Sequence, residues 1–282
     1  MNGMSNYTLQ LTDACNFRCT YCPQPSNRGL GYRPFILTEE EIDEQLEPLI
    51  KKENIVLGRK GWLTIAGGEP ILFPKKLQYM FAKYHQYFDF ELLTNGSIRK
   101  ELQDDLIKEF RPQLAISLDD PETNDQQRIG NVKFKDILSN ALYWHQYTTV
   151  LVSPTLTPIS LRRMKEIFDF YVQEGFDHIF IGCVEEWMND HYWAVYREEV
   201  DRLIQTTDIE TLRRINLSPW QRGDNNGLEL QQIGVLGDLR PAQKVFISKY
   251  YQNRYYGHVS YCKRVGDTPR PIVPEGVEAV LA

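Results

Sequence analysis

Two hydrophobic periodicities alternate along the first two-thirds of the chain. Runs rich in β-branched and aromatic residues predict strands at YTLQLT (7–12), WLTIA (62–66), FDFELLT (88–94), QLAISLD (113–119), TTVLVSPTL (148–156) and HIFIGCV (178–184). Between them, apolar residues recur at helical spacing in 38–52, 75–88, 98–110, 134–146 and 160–175. Thr38 with Glu41 three residues on reads as a capping box, and Gly175 stands where a helix C-cap belongs. Pro48 predicts an early end to the first helix, because its ring removes a backbone donor.

Strict alternation of strand and helix implies parallel strands joined by right-handed crossovers. Six such units predict an α/β fold, a partial (β/α)6 TIM-type barrel, since a full barrel needs eight. The strand C-terminal ends of such a fold carry the site, which places the loop that begins at residue 13 there. After about residue 205 the rhythm fails, in loop-rich 217–244 and aromatic 250–256. The expected organisation is therefore a barrel over 1–205 and a C-terminal extension over 206–282.

Composition changes this picture little. The 282 residues are 42% hydrophobic and 25% charged with a net charge of -6, which offers no global positive field to nucleic acid or an anionic membrane. No apolar run approaches membrane-spanning length, and MNGMSNYTLQ lacks an apolar leader core. A reducing cytoplasm is the expected location, because five cysteines with three clustered do not make a secreted disulfide framework.

The chemistry is concentrated in TDACNFRCTYCPQ, which packs Cys15, Cys19 and Cys22 into eight positions. Thiolates at this density bind a soft metal or an iron–sulfur cluster. A zinc site wants four ligands and paired knuckles, and here it would have to borrow from afar, from His85 or His178. What survives is a [4Fe–4S] cluster with three protein ligands and one iron left open.

CNFRCTYC resembles the C-x3-C-x2-C signature of the radical S-adenosylmethionine (SAM) superfamily, including the aromatic Tyr21 before the last cysteine. The resemblance implies that the open iron chelates the methionine part of SAM. The reduced cluster then cleaves the sulfonium to methionine and a 5′-deoxyadenosyl radical. AGGEP (66–70) closes the second predicted strand where that family carries its GGE-type motif. By resemblance Gly67, Gly68, Glu69 and Pro70 lie against the SAM amino group; glycines permit close backbone approach, and a carboxylate complements an ammonium. LLTNGS (92–97) and AISLDD (115–120) resemble the next two segments, which implies ribose contacts from Ser117 and Asp119 and a pocket position for Asn95. SLDDPETNDQQRIGN resembles a stretch of sulfatase-maturase-like and peptide-modifying members, and by that resemblance Arg128 pairs with the SAM carboxylate. Asp120 replaces a usual glycine there, and Asn124–Asp125 a usual His–Asp. By the same resemblance, LVSPTLT (151–157) falls where the fifth strand contributes to the adenine pocket.

Cys183, at the end of the sixth predicted strand, is a candidate hydrogen-atom donor, with a small buried hydrophobe as the plainer reading. Glu185 and Glu186 are candidates for contact with a polar substrate. The tail resembles the start of a SPASM-type extension through Cys262 and Gly276, but Leu281 stands where a second cysteine is expected, so one cluster per chain follows.

The leading expectation is a radical SAM enzyme acting on a peptide or protein side chain. The alternatives are a small-molecule substrate (sugar, nucleoside or metabolite) and a non-catalytic iron–sulfur protein. An enzyme of this kind needs a low-potential electron donor such as a flavodoxin or a ferredoxin.

Overall fold

A computed structural model describes residues 6–22, 34–51, 58–184, 189–212, 214–217, 245–247, 255–256 and 263–264. The strands are β1 (Asn6–Thr12), β2 (Arg18–Cys19), β3 (Gly61–Gly67), β4 (Phe88–Thr94), β5 (Gln113–Ile116), β6 (Arg128–Ile129), β7 (Val150–Val152), β8 (Thr155–Leu156), β9 (His178–Cys183), β10 (Ile215–Leu217), β11 (Val245–Ile247), β12 (Tyr255–Tyr256) and β13 (Lys263–Arg264). The helices are α1 (Glu39–Ile50), α2 (Pro74–Tyr84), α3 (Glu101–Phe110), α4 (Asn124–Gln127), α5 (Phe134–His145), α6 (Met164–Gln173), α7 (Asp190–Thr206) and α8 (Ile209–Leu212).

The strands β1, β3, β4, β5, β7 and β9 lie side by side in chain order, all parallel, in a curled sheet that forms part of a TIM-type barrel. Two strands from beyond residue 205 join its edges in parallel, β10 on β9 and β11 on β1.

Alternate residues of each strand have different fates, because successive side chains point to opposite faces. Tyr7, Leu9 and Leu11 of β1, Leu63 and Ile65 of β3, and Ile179 and Ile181 of β9 are buried in one apolar cluster. That cluster includes Leu77, Met80 and Phe81 of α2, Ile137 and Trp144 of α5, and Ile167 and Phe168 of α6. The other face carries a lateral row set by strand register, Thr8, Thr64, Glu91 and Gln113. Thr64 donates to the Glu91 carboxylate at 2.7 Å and the Gln113 amide donates to it at 3.0 Å. A sheet covered by helices on both faces reads as continuous apolar strands. The polar row marks the face opposite that apolar cluster, and Thr8 and Thr64 are buried there.

Several boundaries differ from the sequence pattern. TTVLVSPTL divides into β7 and β8 around Pro154, which has no N–H for the ladder. QLAISLD pairs only to Ile116, after which the chain turns into the site. Pro48 does not end α1: the helix runs on to Ile50, and Lys51 N–H reaches the Glu47 and Pro48 carbonyls. The capping box forms as expected, with Glu41 N–H donating to the Thr38 hydroxyl at 3.2 Å and Thr38 N–H to the Glu41 carboxylate at 3.0 Å. Gly175 follows α6 with φ 92°, and Phe176 N–H bonds the Tyr171 carbonyl as in a Schellman closure.

Asp43 ties α1 to α2. Its carboxylate accepts from the Tyr79 hydroxyl at 2.8 Å, from Lys83 Nζ at 2.6 Å and from the Tyr84 hydroxyl. Burial pushes the Asp43 carboxyl up, but the bonds from Lys83, Tyr84 and Tyr79 outweigh it and hold it below the usual range. A carboxylate depressed on folding stabilises above its unfolded pKa and loses that contribution as pH falls through the folded value. Asp43→Asn is therefore expected to cost about 1–2 kcal/mol at neutral pH, as charge-assisted bonds do. The gap in melting temperature to the wild type should close in acid. A gap that stays constant from pH 7 to pH 3 would show that the charge contributes nothing.

Candidate active site

The loop from Asp13 to Cys22 follows β1 and lies over the C-terminal ends of the neighbouring strands. Its path is held mainly by backbone. Gly68 N–H donates to the Thr12 carbonyl and Glu69 N–H to the Ala14 carbonyl, both at 2.7 Å. The approach is so close that a Cβ on Gly67 would stand 2.0 Å from the Thr12 oxygen, and one on Gly68 2.1 Å from the Ala14 oxygen. The Gly-Gly pair is thus required by the chain's own cysteine loop, whatever else approaches it.

Glu69 is buried directly beneath this contact. One carboxylate oxygen accepts from the Thr94 hydroxyl at 2.7 Å and Ile71 N–H at 3.1 Å, the other from Asn95 N–H at 2.6 Å. Burial pushes its carboxyl up to about 7, against the pull of those three donors and of Arg128. Pro70 opens the short helical turn that presents Ile71 N–H. Asn95 carries the connection onward: its amide nitrogen donates to Asn16 Oδ1 at 2.9 Å and approaches Cys15 Sγ at 3.9 Å. Asn16 in turn donates to the Ser97 hydroxyl at 2.8 Å.

A second set of contacts fixes the other end of the loop. Its β2 segment pairs antiparallel with β6, so that Cys19 lies opposite Arg128, and Thr20 N–H bonds the Gln127 carbonyl at 2.8 Å. Phe17 fills the space over Gly130, where a Cβ would come within 2.4 Å of its ring. Arg128 and Asp119 form a buried ion pair at 2.9 Å, with only 7% and 1% of their side chains exposed. Asp119 also accepts from Thr155 N–H at 2.9 Å and from the Tyr21 hydroxyl at 2.5 Å, while its own N–H donates to Asn124 Oδ1 at 3.1 Å. The Tyr171 hydroxyl bonds its carbonyl. The Arg128 guanidinium stands 5.5 Å from the Tyr21 ring centroid and 4.0 Å from Cys19 Sγ, and its Nε is buried without a partner.

Every residue singled out from the sequence at the cysteine, GGEP, TNG and SLD segments thus converges on one end of the sheet. Ser117 is half-buried among them, its N–H on the Thr94 carbonyl at 2.9 Å. Asp120, the departure from the usual glycine, is buried and accepts from Arg163 Nε at 2.8 Å. Cys183 is placed differently. It is 6% exposed, lies on the Ile179–Ile181 face of β9 and belongs to the apolar cluster. Glu185, Glu186, Cys262, Gly276 and Leu281 fall outside the described residues. Sequence reasoning missed Thr94, Asn16, Phe17 and Tyr171. Thr94 carried a signal as the first letter of the TNG segment, and Asn16 and Phe17 stand within CNFRCTYC, whereas Tyr171 lies in no motif singled out.

The donor set fits a cluster. Cys15, Cys19 and Cys22 are half-buried thiols on one short loop. Among the described residues no three His, Cys, Asp or Glu side chains gather closely enough for a single ion. Ligands to separate irons need not gather so. Burial pushes the Cys15 thiol up to about 11 and raises that of Cys19 as well. Thiols so placed become thiolates only with a strong local positive charge, which coordinated iron provides. The unpartnered Arg128 Nε adds a buried donor with no acceptor of its own.

Comparison with known proteins gives an independent view. A family model described as the Radical SAM superfamily matches residues 9–171, more than half of the chain. The GTP 3′,8-cyclase of Microcystis aeruginosa is 40% identical over 138 residues, 46% of this chain and 40% of that protein. The GTP 3′,8-cyclase of Picosynechococcus sp. is 38% identical over 137 residues, again 46% of this chain and 40% of the other. The chain thus spans about 40% of the length of these curated relatives. Native anSMEcpe with bound AdoMet superposes with a TM-score of 0.60 at 15% identity, over 72% of this chain and 60% of that one. SuiB of Streptococcus suis bound to the precursor peptide SuiA gives a TM-score of 0.54 at 15% identity, over 73% of this chain and 47% of that one. At these identities the two structures speak to the fold alone.

Proposed function

The chain belongs to the radical SAM superfamily, an enzyme family that uses a [4Fe–4S] cluster and SAM, and from that premise we propose that its barrel end generates a radical used to abstract hydrogen from a bound substrate. The observation that carries this is the loop of three thiols bonded through backbone to the GGEP turn and through Asn95 to the next strand end. In this reading Cys15, Cys19 and Cys22 ligate the cluster. Tyr21, the backbone of Gly67–Pro70, Glu69, Asn95, Ser117, Asp119 and Arg128 form the SAM pocket. Cluster and SAM together supply reductive sulfonium cleavage and removal of a hydrogen atom from an unactivated carbon.

The chain's own residues hold and orient. Glu69, with three donors on its carboxylate, locks the GGEP turn to the TNG turn and so fixes the backbone of Gly67–Pro70. Arg128 keeps Nε for an anionic ligand group, because Asp119 and Cys19 take its other nitrogens. Phe17 over Gly130 shields one side of the loop from water. The barrel over 1–205 would do this work, with 206–282 as a C-terminal extension and one cluster per chain. A flavodoxin- or ferredoxin-like donor would supply the electron.

For the substrate, the sequence relatives favour a small polar molecule, since the proteins that match at 40% and 38% identity are named for a nucleotide reaction. A peptide substrate is the second reading, and the likeness of SLDDPETNDQQRIGN to peptide-modifying members favours it. Anaerobic incubation with SAM and dithionite should yield 5′-deoxyadenosine from the cluster-loaded protein. An intact cluster with no 5′-deoxyadenosine sinks the enzyme proposal. Stimulation by a peptide-free metabolite fraction supports the first substrate reading, and stimulation by a peptide fraction alone replaces it with the second.

A further inference from the structure

Arg128 does more than wait for a ligand. The β2–β6 pairing sets its Cα opposite that of Cys19, and Thr20 N–H on the Gln127 carbonyl keeps the register. Its guanidinium is then clamped from behind by Asp119 at 2.9 Å, leaving NH1 against Cys19 Sγ at 4.0 Å. Asp119 cannot follow a moving arginine, because Thr155 N–H, the Tyr21 hydroxyl and the Tyr171 hydroxyl each hold it. The result is a buried charge pair whose cation stands against a cluster ligand, Arg128 bonding Cys19 through NH1 and Asp119 through NH2. With 7% and 1% exposure, water and salt screen it little.

We propose that this pair tunes the reduction of the cluster, Arg128 easing it through Cys19 and Asp119 opposing it while fixing where the cation stands. The proposal rests on the cluster assignment above. One-electron reduction adds negative charge to the group that Cys19 ligates, and charge and hydrogen bonding at cluster sulfurs set its potential. A cation held at the sulfur favours the reduced state, and the carboxylate paired with that cation disfavours it. Arg128 and Asp119 are positioning residues in this role, acting through Cys19.

The test is an anaerobic redox titration followed by electron paramagnetic resonance, on the full chain reconstituted with iron and sulfide and without SAM. Iron per chain is counted in each sample. Arg128→Gln is expected to load its cluster and to lower the reduction equilibrium on the order of tenfold, a shift of about 59 mV to more negative potential for one electron. Arg128→Lys, which keeps the charge, should move it less than half as far. Asp119→Asn should move it the other way. A bracing role alone would not give opposite signs, so two shifts in one direction overturn the proposal, as does an unmoved potential in loaded Arg128→Gln. Should Arg128→Gln fail to load, the Lys and Asn variants decide by the same signs. Wild-type protein that takes up no cluster overturns the cluster assignment itself and this inference with it, whereas a loaded cluster with unmoved potentials overturns only the inference.

Discussion

Gly68→Ala is expected to destabilise the protein and to lower its cluster content together. The added Cβ would stand 2.1 Å from the Ala14 oxygen, 2.5 Å from the Ala14 carbonyl carbon and 2.6 Å from the Asp13 carbonyl carbon. All three neighbours are backbone, so no rotamer change relieves the clash. The loop must lift, and with it go the two 2.7 Å bonds from Gly68 and Glu69 N–H. Overpacking costs about 1–3 kcal/mol and each lost bond about 1 kcal/mol, a total of roughly 3–5 kcal/mol. A chain of this size should then melt about 6–20 °C lower. Cluster content should fall as well, because the lifted segment immediately precedes Cys15. A thermal melt with iron counting checks both. Wild-type melting and full iron in Gly68→Ala would show that the two loops do not meet as described.

Replacing Cys15, Cys19 or Cys22 with alanine is expected to bring cluster iron to background and 5′-deoxyadenosine below detection. Each thiolate is one of only three protein ligands in the assignment, and no described His, Cys, Asp or Glu set stands ready to substitute. Asn95→Ala is the informative comparison. Its amide approaches Cys15 Sγ at 3.9 Å without being a ligand, and outer partners of this kind cost roughly 10–100-fold in affinity when removed. Cluster retention under chelator challenge should therefore rank wild type, then Asn95→Ala, then the cysteine variants. Retention of full iron by all three cysteine variants would show that the ligands lie elsewhere. The fold itself should survive these changes, since the thiols sit at the rim of the apolar cluster and not within it.

The local elements were legible because their signals are local. Strand-like runs marked β1, β3, β4, β5, β7 and β9, but not the edge strands β10 and β11, and Thr38 with Glu41 marked the start of α1. The misplacements share one cause. Pro48 and Pro154 each lack one donor, but tertiary contacts decided what followed. Around Pro48 the helix stayed intact on Ile42 and Leu46, which are buried against the core. At Pro154 the ladder broke, and the chain resumed pairing against the end of β9. Cys183 illustrates the same limit. Its place at a strand end was readable, but which face it occupies depends on strand register.

By itself the sequence determined the alternating α/β order, the loop of three thiols and the family to which both belong. Those features reside in spacing along the chain, where covalent geometry carries the information. Only the tertiary structure decided why the two glycines of GGEP are required: the backbone at the end of β1 and in the loop after it passes 2.0–2.1 Å from where their Cβ atoms would be. It also decided that Asp119, Arg128 and Tyr21 engage one another and Cys19, because residues 98 and 109 positions apart meet only when the sheet curls. Burial does the rest: a carboxylate, a guanidinium and a phenol with little access to water must find partners among themselves, and no linear pattern states which.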